Sequence, residues 1–221
     1  MWRDIKKGFR LMKYSYNFKW NIVTALFFVA LSLFFMCLDV HSFVIGGVYF
    51  FLGMIMMLQM NYNLLYSQMI SASGKKRFMD IHFPNFINNI CTVGAYLLVG
   101  GLGALFANLR PEDKQDYVEG LITIAILFTV VIIYYSVCYK FFVVSTIIFA
   151  ISFAVVYVIG YAAVKWIFWA GLGINIVAAF FIGFVVVLIG CLLSNLIRKA
   201  LYQFPISSLA MGASLKKAMK Y

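Results

Sequence analysis

Side chains able to do chemistry are few in this 221-residue chain, and they do not converge. The two histidines lie apart: His41 follows the first apolar run and His82 precedes the third, so they fall at opposite ends of the runs. Cys37, Cys91, Cys138 and Cys191 are each inside or at the end of an apolar run, with no CxxC pair and no Cys/His cluster. That spacing argues against a metal or disulfide framework and for use as small apolar packing groups. GxSxG, HExxH and paired-carboxylate patterns are all missing. Gly74-Lys75 resembles part of a phosphate-binding loop, but position 69 is Met and position 76 is Lys. These absences imply no catalytic, cofactor or metal residues, and a chain that is not an enzyme by itself.

Composition fixes the medium in which the remaining residues work. Hydrophobic residues make up 65% and charged residues 11%, against about 25% charged in a soluble domain. No soluble fold of this size could hide that much apolar surface, whereas lipid solvates it. Six apolar segments stand out, roughly 21–38, 43–61, 86–107, 120–139, 141–164 and 169–196. Each is close to the ~20 residues that cross a bilayer as a helix. A β-barrel is excluded because its strands alternate polar and apolar residues, and 122–135 is apolar on every face. The expected fold is all-α: a polytopic membrane protein of about six transmembrane helices plus an N-terminal interfacial amphipathic helix. Its expected parts are a cytoplasmic interfacial helix over 1–20, the transmembrane domain over 21–197 and a basic cytoplasmic tail over 198–221.

Basic residues set the orientation. With the N-terminus inside, Arg3, Lys6, Lys7, Arg10, Lys13, Lys19, Lys75, Lys76, Arg77, Lys140, Arg198, Lys199, Lys216, Lys217 and Lys220 face the cytoplasm, fifteen of eighteen. Only Arg110, Lys114 and Lys165 fall outside, and the 108–119 loop carries Glu112, Asp113, Asp116 and Glu119. The positive-inside rule therefore predicts a multi-pass protein of the cell membrane with both termini cytoplasmic. The net charge of +11 sits at the ends of apolar runs, which points to anionic lipid headgroups and not to nucleic acid.

Two cytoplasmic elements carry pattern. Trp2, Ile5, Phe9, Met12, Tyr16 and Trp20 recur at spacings of three and four, with basic residues between, the pattern of a cationic helix lying in the headgroup plane. The basic region and first run together read as a retained signal anchor, since no small-residue cleavage site follows. The second element is the 71–84 loop, which mixes basic and apolar residues and ends at Pro84. Ser71 or Ser73 can cap a short helix there that places Phe78 and Ile81 on one face for a partner's groove; a solvated basic loop is the alternative.

Within the spans the polar content is sparse. None of the seven acidic residues lies at mid-membrane, which counts against a proton-coupled carrier. Asn61, Asn88, Tyr134, Tyr135 and Asn175 are the candidates to line a path, with Asn63 and Asn89 nearby. Gly46 and Gly53, and Gly183 and Gly190, are seven apart and share helix faces, while Gly100 and Ala104 form a small-xxx-small pair; both patterns mark close helix approach.

The whole plan resembles the permease subunits of ABC-2 type exporters: a basic amphipathic N-terminal helix, six spans, a coupling-helix loop between spans two and three, and an aromatic external segment (here 165–175) before the last span. The resemblance implies an ABC ATPase partner that binds ATP and Mg, and a second permease copy or paralogue across a two-fold axis. It implies an ATPase-coupling loop formed by Ser71, Ser73, Gly74, Lys75, Lys76, Arg77, Phe78, Asp80 and Ile81. Family loops often place an acidic residue before the small turn; here Asp80 follows it. The aromatic, uncharged spans suit amphipathic peptides or hydrophobic compounds as exported cargo. A substrate-binding subunit of an energy-coupling-factor importer stays open, although Ala25 and Ala30 fit its AxxxA docking pattern poorly. A membrane immunity or scaffold protein and an independent secondary carrier also stay open.

Overall fold

The computed structural model describes residues 18–38, 40–66, 81–155 and 174–204, with residues 5, 6, 9, 10, 158 and 162 besides; side chains are not described for 40–42, 57–66 and 153. Six α-helices make up these stretches, with no strand among the described residues. They are α1 (Phe18–Leu38), α2 (Val40–Tyr66), α3 (Phe83–Leu109), α4 (Lys114–Cys138), α5 (Phe142–Val155) and α6 (Ile176–Ala200). Four of them, α1, α3, α4 and α6, are long and apolar enough to cross a membrane; in the other two the described apolar runs are shorter, Phe43–Met56 and Phe142–Ser152. The chain is an all-α, polytopic, membrane-embedded protein.

Local chemistry sets the helix ends. Pro84 occupies the first turn of α3, where its missing N–H costs nothing. Pro111 opens a short 3₁₀ turn, Pro111–Asp113, that reverses the chain between α3 and α4. Val137 O accepts from the N–H groups of both Lys140 and Phe141, each at 3.0 Å, which closes the tight α4–α5 turn. Asn175 caps α6: its Oδ1 accepts from Val177 N at 3.3 Å, satisfying an otherwise orphan donor.

Side-chain contacts fix the direction of each helix. Gly46 of α2 faces Met36 and Ser32, and Gly53 faces Ala25 and Val29, so α1 and α2 form an antiparallel hairpin. Phe43 meets Tyr117, Gly47 meets Ile124 and Phe51 stacks on Phe128, so α2 and α4 run parallel. Thr129 donates to Val186 O at 3.2 Å and Ser136 pairs with Ser194, so α4 and α6 are parallel too. Tyr96 of α3 donates to Phe180 O at 3.1 Å, while Asn89 lies beside Asn195, so α3 is antiparallel to α6. One end of the bundle therefore gathers the starts of α1, α3 and α5 and the finishes of α2, α4 and α6.

Close approach depends on glycine at two places. A Cβ on Gly183 would collide with the Tyr96 hydroxyl, and one on Gly190 would lie 2.8 Å from Thr129 Cγ2. In lipid, where apolar surface does not drive helices together, such small-residue contacts and interhelical hydrogen bonds supply the packing energy. The expectation that Gly183 and Gly190 share a packed face, as do Gly46 and Gly53, agrees with these contacts.

The helices extend beyond the apolar segments. α1 begins three residues before 21, and α6 runs past 196 to Ala200, across the expected boundary between span and tail at 197–198. The reason at the C-terminal side is physical: Arg198 turns into the bundle and is fully buried.

Candidate functional site

The most polar part of the interior lies where α3 begins and α4 and α6 finish. Asn85, Asn88, Asn89 and Thr92 project from α3, and Cys191, Ser194, Asn195 and Arg198 from α6. Both sets follow the 0, 3, 4, 7 spacing of one helix face. Because α3 and α6 are antiparallel, the two stripes can meet, and hydrogen bonds join them. Asn89 Nδ2 donates to Asn195 Oδ1 at 3.4 Å. With the Asn88 amide oriented to suit both its neighbours, its Oδ1 accepts from Arg198 Nη2 at 2.7 Å and its Nδ2 donates to Pro84 O at 3.2 Å.

Helix α4 completes the knot. Arg198 Nη2 also reaches Tyr135 O at 3.4 Å, and its guanidinium lies 5.3 Å from the Tyr139 ring centre. Ser136 donates to Ile132 O at 2.8 Å, which commits its one proton and makes Ser194 the donor in the Ser136–Ser194 pair. Lys140, buried at the α4–α5 turn, donates through Nζ to Phe204 O and lies 5.0 Å from the Tyr139 ring centre. A buried guanidinium held by an amide oxygen, a carbonyl and an aromatic face is a charge with fixed partners. This arrangement clamps three helices.

A second feature is a groove of about 270 Å³ between α4 and α5. Val130, Ile133, Val137 and Ile148 line it, with Tyr134, Ser145 and Ser152 as its polar groups. The Tyr134 hydroxyl lies 3.3 Å from Thr146 Oγ1, and its ring packs 4.4 Å from Phe149. The surface is apolar with a few hydroxyls, suited to amphipathic molecules and not to ions.

The residues singled out from the sequence scatter across these features. Tyr134 lines the α4–α5 groove, whereas Tyr135 is buried and Asn88 is engaged with Arg198 in the knot. Asn175, expected on a path, caps α6 instead. The side chain of Asn61 lies outside the described residues. So do Ser71, Ser73, Gly74, Lys75, Lys76, Arg77, Phe78 and Asp80 of the expected coupling loop, and Trp2, Met12 and Tyr16 of the expected interfacial helix. Ile81, expected on the partner-facing side of the loop, is 2% exposed and packs within the chain itself. Ile5 is buried, and the Phe9 ring meets Phe83 edge-on at 5.7 Å. Phe9 of the N-terminal segment thus contacts the first residue of α3.

Arg198 escapes a reading of the sequence alone, because at a span end it looks like one more positive-inside marker. The signal that points to it is the matched polar spacing on α3 and α6. No group of three or more His, Cys, Asp or Glu side chains able to hold a metal occurs among the described residues, and all four cysteines are free thiols.

These features define a membrane-embedded helical bundle with a polar clamp at one end. No family model matches the chain, and no curated protein or solved structure matches it either.

Proposed function

We propose that the chain is the permease subunit of an ATP-driven exporter of the ABC-2 type, energised by a separate ATPase subunit that binds ATP and Mg. The observation that carries this reading is the contact of Phe9 with Phe83. It ties the amphipathic N-terminal segment to the point where the 67–80 loop enters α3, so the two cytoplasmic elements that such a permease offers its ATPase adjoin each other. The charge distribution fits. Among the described residues the end holding that contact carries Lys6, Arg10, Lys19, Lys140, Arg198 and Lys199 and no acid; the opposite end carries Glu112, Asp113, Asp116 and Glu119 against Arg110 and Lys114. The basic end is then cytoplasmic, the chain crosses the cell membrane six times, and both termini lie inside.

On this reading a second copy or a paralogous permease completes the transporter. The α4–α5 groove, with Tyr134 among aliphatic side chains, suits amphipathic peptides or hydrophobic compounds as cargo. The chain does no chemistry itself; its part is to change conformation when its partner hydrolyses ATP.

The test is co-purification of the tagged full chain with the ABC ATPase of the same cell. Wild type should retain it, and Phe78→Asp should reduce recovery at least tenfold without changing the thermal stability of the chain. Ile81→Asp is unsuitable because that side chain is buried. Retention of the ATPase by Phe78→Asp would reject the coupling loop. Failure of wild type to retain any ABC ATPase would reject the function.

A further inference from the structure

A groove of about 310 Å³ runs between α1, α2 and α3. Its floor is made of small side chains, Ala25, Gly53 and Gly94, and its rim of large ones, Leu26, Ile90 and Leu98, which are all exposed. Gly94 contributes to the opening by what it lacks: a Cβ there would meet nothing within 4 Å. A helix packing here would need small residues at the rim as well as on the floor, because backbones come together only where both surfaces are flat. An open apolar groove with small residues between large ones accommodates hydrocarbon. In a bilayer it cannot stand empty, since its lining would forfeit its dispersion contacts.

The basic end of the groove has polar groups suited to a headgroup. Asn21, 9% exposed, lies one turn before the lining residue Ala25, and its Nδ2 has no hydrogen-bond partner. A buried amide at this point breaks the apolar surface of α1 just below the headgroup level. Lys19 and Trp20 precede it in the first turn of α1, both exposed, Trp20 at 70%. An exposed tryptophan beside a lysine at the start of a span is the headgroup-level pattern. At about 1.5 Å rise per residue, the α1 lining from Ile22 to Val29 covers roughly 10 Å, which lies within one leaflet of a bilayer core of about 30 Å.

The geometry points to a bound anionic glycerophospholipid of the leaflet at the basic end. One acyl chain lies in the α1–α2–α3 slot, and the Lys19 ammonium faces the phosphate. This inference rests on membrane embedding and does not depend on the transport reading.

The experiment uses the purified full chain, delipidated in detergent, re-exposed to phosphatidylglycerol or phosphatidylcholine and weighed by native mass spectrometry. Wild type should keep one phosphatidylglycerol per chain. Gly94→Leu, whose Cβ would meet nothing within 4 Å, should cut retention at least fivefold with thermal stability unchanged or raised. Gly101→Leu is the control: it also meets open space but does not line the slot, so it should retain lipid as wild type does. Lys19→Gln, on an exposed side chain that folding does not need, should at least halve the preference for phosphatidylglycerol over phosphatidylcholine. Equal retention by Gly94→Leu and wild type, equal loss in Gly101→Leu, or no lipid on wild type would overturn the proposal. A change of oligomeric state in Gly94→Leu would overturn it in favour of a helix from a second copy.

Discussion

Replacing Asn88 by leucine should loosen the clamp at the basic end, and the size of the effect follows from the two hydrogen bonds it removes. Asn88 Oδ1 accepts one bond from the buried guanidinium of Arg198, and its Nδ2 donates to Pro84 O. A hydrogen bond to a charged group contributes about 1.5–3 kcal/mol and a neutral one about 1 kcal/mol. The added apolar area of leucine returns about 1 kcal/mol. The net loss is roughly 2 kcal/mol, since Arg198 stays fully buried and keeps only part of its shell. At about 2–4 °C per kcal/mol for a chain of this size, thermal unfolding in detergent should fall by about 4–8 °C. Asn88→Asp is the counterpart: it loses the donor to Pro84 O but sets a carboxylate against Arg198, so its loss should be smaller than that of Asn88→Leu. A double-mutant cycle with Arg198→Met isolates the pair, and a coupling of about 1–2 kcal/mol is expected. No shift in Asn88→Leu, or the same shift with and without Arg198, would refute the reasoning.

Three further outcomes follow from the packing. Gly183→Leu should cost about 2 kcal/mol or more, because its Cβ overlaps the Tyr96 hydroxyl and breaks the bond to Phe180 O, a loss read as reduced thermal stability in detergent. Ser194→Ala should cost only about 0.6 kcal/mol, the usual value for a neutral interhelical pair, and adding Ser136→Ala should cost little more in the same assay. In a chain whose four cysteines are replaced by alanine, Glu112→Cys should react with an impermeant maleimide on intact cells and Gln203→Cys only after permeabilisation; the reverse pattern would invert the proposed orientation.

The membrane fold is legible in the sequence because lipid imposes a coarse and strong constraint. A segment such as 120–139 can only be a helix in that medium, since every backbone polar group must be satisfied within the segment. The seven-residue glycine pairs are legible for a related reason: Gly46 and Gly53 have to share a face, and both meet α1. The clamp is not legible one residue at a time. Arg198 at a span end looks like a residue that reaches toward headgroups, and its inward turn depends on Asn88, 110 positions earlier in the chain. Only the shared 0, 1, 4 spacing of Asn88, Asn89 and Thr92 on α3 and of Ser194, Asn195 and Arg198 on α6 hints at the pairing, and reading it requires knowing that those helices are antiparallel neighbours. Asn175 is a local case: an asparagine directly before a long apolar run is an ordinary N-cap, and it caps α6.

The clamp and the lipid slot divide the bundle unevenly. At the basic end α3, α4 and α6 are joined through Arg198, Asn88 and the Tyr135 carbonyl, with Ser136–Ser194 and Asn89–Asn195 beside them. Between α1 and α3 there is an apolar groove instead, and α1 is held chiefly through its hairpin with α2. A force applied at the start of α3 meets Ile81 and Phe83, both buried, and passes along the first turns of α3 to Asn88. The polar clamp then obliges α3, α4 and α6 to move together, because separating them would bare a guanidinium in a medium of low dielectric. Sliding α1 along the groove exchanges one apolar contact for another and bares no charge. If the proposed coupling to an ATPase holds, the compliant boundary is the α1–α3 slot, and a lipid seated there would resist or permit the motion according to the length of its chain.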